Sequence, residues 1–261
     1  MRADNFSNKF GGTARLYGEP GLKTLAESHV AVVGLGGVGS WAAEALARSA
    51  IGKISLFDLD DICVSNTNRQ IHAVSGSYGQ SKCAAMATRI QLINADCQIF
   101  AIEDFVTAET VREYITTEFD YVIDATDSVA CKAAMIAHCK RNKIKMVTVG
   151  GAGGQLDPSQ IQIGDLAKTI QDPLLAKVRN TLRREYGFSR NPKRKFSIDA
   201  VYSLEQLKYP TNDGGTCLAK PEMQGGSGLD CATGFGAGVV VTGTFGFFAA
   251  SLAIKRLTQH I

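Results

Sequence analysis

Three glycines, Gly34, Gly36 and Gly39, have the spacing of the first turn in a nucleotide-binding strand–turn–helix unit. They follow the apolar run HVAVV (29–33) and open a segment with helical spacing. In such a turn, the free N–H groups and the dipole of the helix N-terminus favour an anion. Asp58 lies nineteen residues after Gly39, about where an acid binds the ribose of a dinucleotide. No Gly-Lys-Ser/Thr follows, so this is not a P-loop, and both NAD and ATP remain open.

The stretch DLDDICVSNTNRQIH (58–72) gathers polar side chains where a dehydrogenase would run into its next helix. It contains the amides Asn66 and Asn68 and the cation Arg69, and Lys82 opens the next helical segment. A protein that binds ATP on this kind of turn must bring cations to the triphosphate from elsewhere, whereas a dehydrogenase need not. These four side chains are therefore candidates for phosphate contacts. The alternative is a solvated loop followed by a capped helix.

Asp127 ends the strand-like segment YVIDATD (121–127). Carboxylates at the carboxyl ends of parallel strands lie over the ligand crevice. Near phosphates this carboxylate would be repelled unless a divalent cation intervened, and Mg²⁺ commonly binds one or two carboxylates plus phosphates. Asp127 is therefore a candidate Mg²⁺ ligand. The alternative is a cap for the following helix, SVACKAAM.

These candidate residues can meet only in a fold that brings the ends of several strands together. Strand and helix patterns alternate from residue 29 to about residue 150, and the strands are continuous β-branched runs typical of buried parallel sheets. The alternation predicts an α/β protein with a doubly wound, mainly parallel, Rossmann-like sheet and a C-terminal extension. We expect one domain over residues 1–261, composed of a polar N-terminal arm (1–28), a nucleotide-binding core (29–155) and a C-terminal substrate or dimer portion (156–261).

The segment 231–254 carries no charge and exceeds the roughly 20 residues that span a bilayer. Its Gly234 and Gly238 form a G-x-x-x-G pair, which allows close helix contacts in membranes. A helix buried between protein surfaces, for example at a subunit interface, is apolar all round for the same reason. The five glycines and three threonines of this segment favour the buried helix over membrane association.

The spacing of the cysteines bears on two expectations, the cellular compartment and a zinc site. All seven are scattered, and no pair is spaced Cys-x-x-Cys, so neither a disulfide framework nor a zinc site is indicated. The polar N-terminus does not have the pattern of a signal peptide. We therefore expect a cytoplasmic protein without zinc.

Positive charge is concentrated in residues 177–195, where eight cations face one acid, Glu185. The net charge of +3 would not by itself predict a nucleic-acid partner. Such a cluster can supply phosphate contacts to RNA that do not read sequence. The alternative is a solvated helix and loop. The candidate RNA-binding residues are Arg183, Arg184, Arg194 and Lys195.

In their order and spacing, GLGGVGS, DLDDICVSNTNRQ, Lys82 and DATDS resemble the adenylating family of ubiquitin-activating enzymes and their bacterial relatives, over about residues 10–155. The resemblance implies ATP, with Gly37 near the nucleotide and Asp58 on the ribose. Arg15, in FGGTARLYG, resembles the arginine that family members insert into a neighbouring subunit's site, which implies a homodimer. The catalytic and phosphate-region residues that the resemblance implies are Arg15, Asn66, Asn68, Arg69, Lys82, Asp127 and Ser128.

Nearly the whole chain resembles one branch of that family, the tRNA threonylcarbamoyladenosine dehydratases, in FGGTARLYGE, GGAGGQLDPSQIQIGDLAKTIQDPL and DCATGFGAG. This implies adenylation of a threonine carboxylate beside the tRNA anticodon, followed by ring closure. Members that activate sulfur-carrier proteins commonly carry zinc cysteine pairs, which this chain lacks. Two alternatives remain: an activator of a ubiquitin-like or sulfur-carrier protein, with Cys231 as its candidate thiol, and a nicotinamide oxidoreductase. A sulfur-transfer or other protein partner is also left open.

Overall fold

The computed structural model describes residues 2–211, 213–218 and 235–259. The helices are α1 (Arg2–Glu27), α2 (Gly39–Arg48), α3 (Lys82–Ile93), α4 (Val111–Tyr114), α5 (Val129–Asn142), α6 (Pro173–Glu185) and α7 (Val239–Thr258). The strands are β1 (His29–Val33), β2 (Lys53–Phe57), β3 (Gln98–Ile102), β4 (Tyr121–Asp124), β5 (Met146–Val149), β6 (Ile161–Asp165), β7 (Asp199–Ser203), β8 (Tyr209–Pro210) and β9 (Thr216–Cys217).

Seven strands form one sheet in the order β3-β2-β1-β4-β5-β7-β6, while β8 and β9 pair as a separate two-stranded ribbon. All neighbours in the large sheet are parallel except β6, which runs antiparallel to β7 at the edge. The strand order reverses between β1 and β4, so a crevice opens at their carboxyl ends, where ligands bind in such folds. The predicted doubly wound, mainly parallel sheet is confirmed.

Apolar clusters cover both faces of this sheet. On one face the cluster includes Leu46 of α2, Met86 of α3 and Phe245 of α7, all fully buried. On the other face it includes Ile136 of α5 and Leu182 of α6. Because β1, β4 and β5 lie between these layers, their side chains are buried on both faces. This explains their unbroken apolar runs.

The N-terminal arm is more ordered than its polar composition predicts. Residues Arg2–Glu27 are helical, with a bend at Gly18, whose φ is 77°. Phe10 and Leu22 are buried and form a small cluster with Ala50. The sequence predicted only the last part of this arm to be amphipathic, because its apolar residues are few and irregularly spaced.

Helix α7 begins later than the apolar segment 231–254 suggested. Gly238 is its N-cap, with extended φ and ψ of −127° and 147°, so Gly238 cannot be part of a helical G-x-x-x-G pair. Gly234 and Cys231 lie outside the described residues.

In the described ranges, α7 is the one helix long and apolar enough to span a membrane, yet 56% of its apolar window is buried. A Cβ on Gly246 would lie 2.5 Å from the carbonyl oxygen of Val38, so α7 packs closely against the start of α2. This packing agrees with a helix buried in the protein core rather than a membrane span.

Candidate nucleotide-binding site

The Gly-rich turn after β1 lies against the loop after β4. Gly34 has a φ of 87°, and a Cβ there would lie 2.9 Å from the carbonyl oxygen of Ala125. A Cβ on Gly39 would lie 1.8 Å from the carbonyl oxygen of Gly34. Only glycine fits such approaches of backbone to backbone. The two glycines therefore bring the first turn of α2 to the crevice between β1 and β4.

The start of α2 retains the donors that an anion needs. Its N-cap, Val38, has no side chain that could accept a hydrogen bond from the first turn. A Cβ on Gly36 would meet open space, whereas one on Gly37 would lie 3.0 Å from Cγ of Arg69. The helix N-terminus is thus open to solvent on one side and bordered by an arginine side chain on the other. Both features favour a phosphate at this position.

Asp58 joins the end of β2 to the Gly-rich turn. Its Oδ2 accepts a hydrogen bond from the N–H of Leu35 at 2.6 Å, and its Oδ1 accepts one from the N–H of Asp60 at 2.9 Å. The carboxylate is buried. It therefore lies next to the turn, where the fingerprint predicted it. Its ribose contact stays a prediction.

Lys82 is buried at the first position of α3, directly after the N-cap Ser81, whose hydroxyl accepts from the N–H of Ala84. The Nζ of Lys82 lies 2.7 Å from Oδ2 of Asp60 and 3.6 Å from Oδ1 of Asp58. Two carboxylates thus hold an ammonium group that has little access to water. This arrangement fixes the position of the ammonium group beside the turn.

Arg69 lies over the Gly-rich turn. Its backbone carbonyl accepts a hydrogen bond from Nε1 of Trp41, and its Nη1 donates to the carbonyl of Ser65 and to Oδ1 of Asn68, both at 3.0 Å. Nδ2 of Asn68 donates in turn to the carbonyl of Ala237 at 2.6 Å. The predicted pair Asn68 and Arg69 is therefore brought together, and the backbone just before α7 helps to hold it.

Asn66 has a local structural role that the sequence did not predict. Its Oδ1 accepts a hydrogen bond from the N–H of Cys63 at 3.0 Å, which closes the 3₁₀ turn Val64–Asn66. A phosphate contact by the Nδ2 group of this side chain stays a prediction.

The loop after β4 separates the two roles considered for Asp127. The cap of α5 is Ser128, whose hydroxyl accepts from the N–H of Cys131 at 3.3 Å. Asp127 is exposed and makes no hydrogen bond or ion pair with the described residues. Ser128 is therefore the cap of α5, and capping does not explain why an aspartate is present at position 127. Moreover, β4 ends at Asp124 and not at residue 127.

A buried ion pair that the sequence analysis did not predict anchors the loop after β4. Nζ of Lys132 lies 3.1 Å from Oδ2 of Asp124, and both side chains are fully buried. Oδ2 of Asp124 also accepts from the hydroxyl of Thr148 at 2.7 Å, while its Oδ1 accepts from the hydroxyl of Thr126 at 2.8 Å. The signal in the sequence was a lysine inside the apolar helix VACKAAM, close after an apolar strand that ends in aspartate.

His72 is a second buried polar residue near the site. Burial lowers the pKa of His72 to about 4, and the charges of Lys82 and Arg89 act in the same direction. Its Nε2 lies 3.0 Å from Oε1 of Gln70, and its Nδ1 has no partner among the described residues. The histidine is therefore neutral at pH 7.

The remaining predicted residues lie away from these contacts or outside the described ranges. Arg15 is exposed on α1 and makes no hydrogen bond or ion pair with the described residues. Cys231, the candidate thiol, lies outside the described residues. Burial raises the pKa of Cys83, Cys97 and Cys139 to about 12 and that of Cys131 to about 11, so these thiols are poor nucleophiles.

The predicted RNA-binding cluster divides into engaged and free side chains. Arg183 is half-buried, with its guanidinium 5.4 Å from the ring centre of Phe196, and Arg184 pairs with Glu185 at 2.6 Å. Arg194 and Lys195 are exposed, and their side chains have no hydrogen bond or ion pair with the described residues. Among the four candidate RNA-binding residues, the free charge thus lies in the loop after α6.

Comparison with known proteins places these residues in context. A family model described as the ThiF family matches residues 12–261. The chain is 55% identical to the tRNA threonylcarbamoyladenosine dehydratase of Escherichia coli, over 98% of this chain and 95% of the relative. It is 54% identical to the dehydratase of the same name from Haemophilus influenzae, over 99% and 96% of the two chains.

A solved structure shows the same fold. The crystal structure of E. coli tRNA N6-threonylcarbamoyladenosine dehydratase, TcdA, in complex with ATP is similar with a TM-score of 0.88 and 52% identity. The similarity covers 98% of this chain and 96% of that structure. The likeness therefore extends over the nucleotide-binding half and the C-terminal half together.

Proposed function

This chain belongs to the ThiF family, and we propose from that premise that it is an ATP-dependent dehydratase of threonylcarbamoyladenosine in tRNA. The near-complete match to dehydratases of that name carries the proposal, because it includes the C-terminal half as well as the nucleotide core. The related dehydratase binds ATP, and the cations beside this chain's Gly-rich turn suit a triphosphate. A nicotinamide cofactor would not require two cations, Arg69 and Lys82, beside this turn.

The described residues fit ATP. Gly34 and Gly39 form a turn that a Cβ would fill, and the first turn of α2 is open to an anion. Bound ATP would have its phosphates at this helix N-terminus and its ribose at Asp58, and Arg69 from the loop and Lys82 from α3 would be the cations for the phosphates. Asn68 supports this arrangement by holding Arg69, and Asn66 by closing the 3₁₀ turn.

Among the described residues, Asp127 is a side chain that suits a Mg²⁺ ion in the site. Its carboxylate is exposed at the carboxyl end of β4 and is not used in capping α5. Hard oxygen ligands of this kind, together with phosphates, are the usual Mg²⁺ site. The ion would supply charge neutralisation at the phosphates, and Ser128 fixes the loop that carries the ligand. The buried pair of Lys132 and Asp124 positions the same loop.

The reaction needs no nucleophile from the protein. The threonine carboxylate attacks the α-phosphorus of ATP, and pyrophosphate leaves. The ureido group on the same threonine then attacks the acyl adenylate, loses a proton and expels AMP as the five-membered ring closes. The balance is the loss of one water from the nucleoside and the cleavage of ATP to AMP and pyrophosphate, as in ligases. Because ring closure is intramolecular, positioning alone can give effective molarities of about 10⁵ to 10⁸ M.

Arg69 and Lys82 stabilise the negative charge that develops on the phosphates. Lys82 is held by Asp58 and Asp60, so its ammonium group is in place before ATP arrives. Preorganised charge of this kind acts mainly in the transition state.

The partners proposed are tRNA and a second copy of the chain. Arg15 reaches the nucleotide site of the partner subunit, while Arg183, Arg184, Arg194 and Lys195 form the RNA surface. The enzyme works in the cytoplasm and without zinc.

Nucleoside analysis of tRNA tests the proposal. A strain that lacks this protein should accumulate the open threonylcarbamoyladenosine, and the wild-type gene should restore the cyclic form, as seen by mass spectrometry under conditions that preserve the ring. The purified protein should release AMP only when modified tRNA is present. Unchanged nucleosides in the deletion strain, with AMP release driven by a carrier protein, would instead make it an activator of that carrier.

A further inference from the structure

A cavity of about 500 Å³ opens at the amino-terminal edge of the sheet, opposite the nucleotide crevice. The first residues of three neighbouring strands line it: Tyr121 of β4, Met146 of β5 and Asp199 of β7. The carboxyl ends of β1 and β4, which carry the nucleotide site, lie at the other edge of the sheet. The cavity is therefore separate from the site described above.

Four cations and one carboxylate line this cavity. The cations are Lys140, Lys143, Lys145 and Arg256, and the carboxylate is Asp199. Lys143 and Lys145 are exposed, and their side chains have no hydrogen bond or ion pair with the described residues. A concave surface whose charges are mostly of one sign concentrates the potential and attracts the opposite charge.

The other charged groups leave donors available to a ligand. Nζ of Lys140 donates to the carbonyl of Phe196 at 2.6 Å and has two further N–H bonds. Arg256 binds Asp199 through Nη2 at 2.8 Å and Nε at 3.0 Å, and Nη1 donates to Gln259 at 3.2 Å. Because a guanidinium carries five N–H donors, this pair does not exhaust it.

Tyr121 adds an independent observation at the wall of the cavity. Its side chain is 1% exposed, and its hydroxyl has no hydrogen-bond partner among the described residues. Burial raises the pKa of Tyr121, and the charges of Asp199 and Arg256 also act on it, so the phenol is neutral and lies near that pair. An unpaired buried hydroxyl costs free energy. An anion that drew Arg256 toward itself would leave the Asp199 carboxylate available to this hydroxyl.

We propose that this cavity is a phosphate-binding site, formed by Lys140, Lys143, Lys145 and Arg256, with Tyr121 stabilising the occupied state. Three ammonium groups around a cavity suit a compact anion with several oxygens. The phosphate comes either from a free pyrophosphate-like anion or from the backbone of an RNA. The loop with Arg194 and Lys195 leads directly into the cavity wall at Ser197. If the phosphate belongs to an RNA backbone, this proposal rests on the proposed function. If it belongs to a free anion, it does not.

Calorimetry on the full chain tests the site with two probes: inorganic pyrophosphate, and an RNA hairpin over a range of salt. A non-hydrolysable ATP analogue fills the nucleotide site throughout. The triple variant Lys140→Gln, Lys143→Gln, Lys145→Gln should bind pyrophosphate at least about tenfold more weakly, since one charge-assisted hydrogen bond contributes about that factor. If RNA is the source, the salt slope should instead flatten by about 0.7 to 0.9 for each phosphate that the variant no longer neutralises. Lys53→Gln, at the same edge but outside the cavity, should change neither.

Tyr121→Phe keeps the proposal testable if the triple variant does not fold. It removes one unpaired oxygen, so the free protein should be at least as stable as the wild type, while the thermal stabilisation by the bound probe should shrink. Weaker binding of either probe in a folded variant supports the site and identifies the source of the phosphate. If both probes bind every folded variant as they bind the wild type, the cavity is not a phosphate site.

Discussion

At the scale of single residues, Lys82 and Arg69 make the sharpest prediction. Alanine at either position should lower the rate of AMP release by about 10² to 10³, because each change removes one preorganised donor to the transition state. Single-turnover assays with modified tRNA measure this directly. Lys53→Ala removes a distant exposed lysine and serves as the control. Near-normal turnover in either variant would remove that residue from the mechanism.

His72 predicts a pH dependence of stability. The unfolded chain protonates this residue near its ordinary pKa of 6.5, whereas the folded protein holds it neutral down to about pH 4. Protons thus favour the unfolded state, and its contribution should lower the free energy of unfolding as the pH falls from 6.5 to 4, by up to roughly 3 kcal/mol. Urea unfolding of His72→Gln should show a shallower decline over that interval. An identical decline in the variant and the wild type would contradict this assignment.

At the scale of elements, the unit of β4 and α5 depends on its buried ion pair. Lys132→Met leaves the Asp124 carboxylate buried without its cation and should cost about 3–5 kcal/mol of unfolding free energy. The double variant with Asp124→Asn removes the stranded charge and should recover part of the loss. Denaturant titrations of the single and double variants measure both effects. A single variant as stable as the wild type would show that water or other groups replace the lysine.

The loop after α6 should carry the salt-dependent contact with RNA. Arg194→Gln combined with Lys195→Gln removes two free cations, so the slope of log affinity against log salt should flatten by about 1.4 to 1.8. Arg184→Gln should change the slope less, since that guanidinium is already paired with Glu185. Equal slopes in the double variant and the wild type would show that this loop is a solvated surface that does not contact RNA phosphates.

The sequence predicted those parts of the site whose signal is local. Gly34 and Gly39 belong to the turn after β1, and Asp58 follows the neighbouring strand β2, so the spacing within one strand–turn–helix–strand unit places them together. The Lys132–Asp124 pair had a sequence signal, a lysine inside an apolar helix close after a strand that ends in aspartate, but only packing shows that the two side chains meet. The double contact of Lys82 likewise depends on packing and had no signal in the sequence. The sequence offered only Asp127 as a cap of α5, and the hydrogen bond from the N–H of Cys131 to the hydroxyl of Ser128 assigns that role to Ser128. The helical N-terminal arm escaped prediction because its apolar residues are few and irregularly spaced, and they pack against Ala50 and helix α7 in other segments.

At the scale of the whole molecule, Arg15 predicts sharing between subunits. If it completes the partner subunit's site, an inactive Arg15→Ala protein mixed with an inactive Lys82→Ala protein should regain activity, since heterodimers contain one site with both residues. Mixed samples labelled on different subunits establish that exchange has occurred. No recovery after verified exchange would place Arg15 in its own subunit's site or outside it.

The alkylation rates of four buried cysteines can report how often the fold opens. Cys83 and Cys97 lie in the apolar layer on one face of the sheet, and Cys131 and Cys139 lie in the layer on the other. With pKa values raised to between about 11 and 12, they are protected from alkylation by both access and ionisation until the fold opens. Their labelling rates therefore report how often each face is exposed to solvent, so the two layers can be timed separately in one unmodified protein.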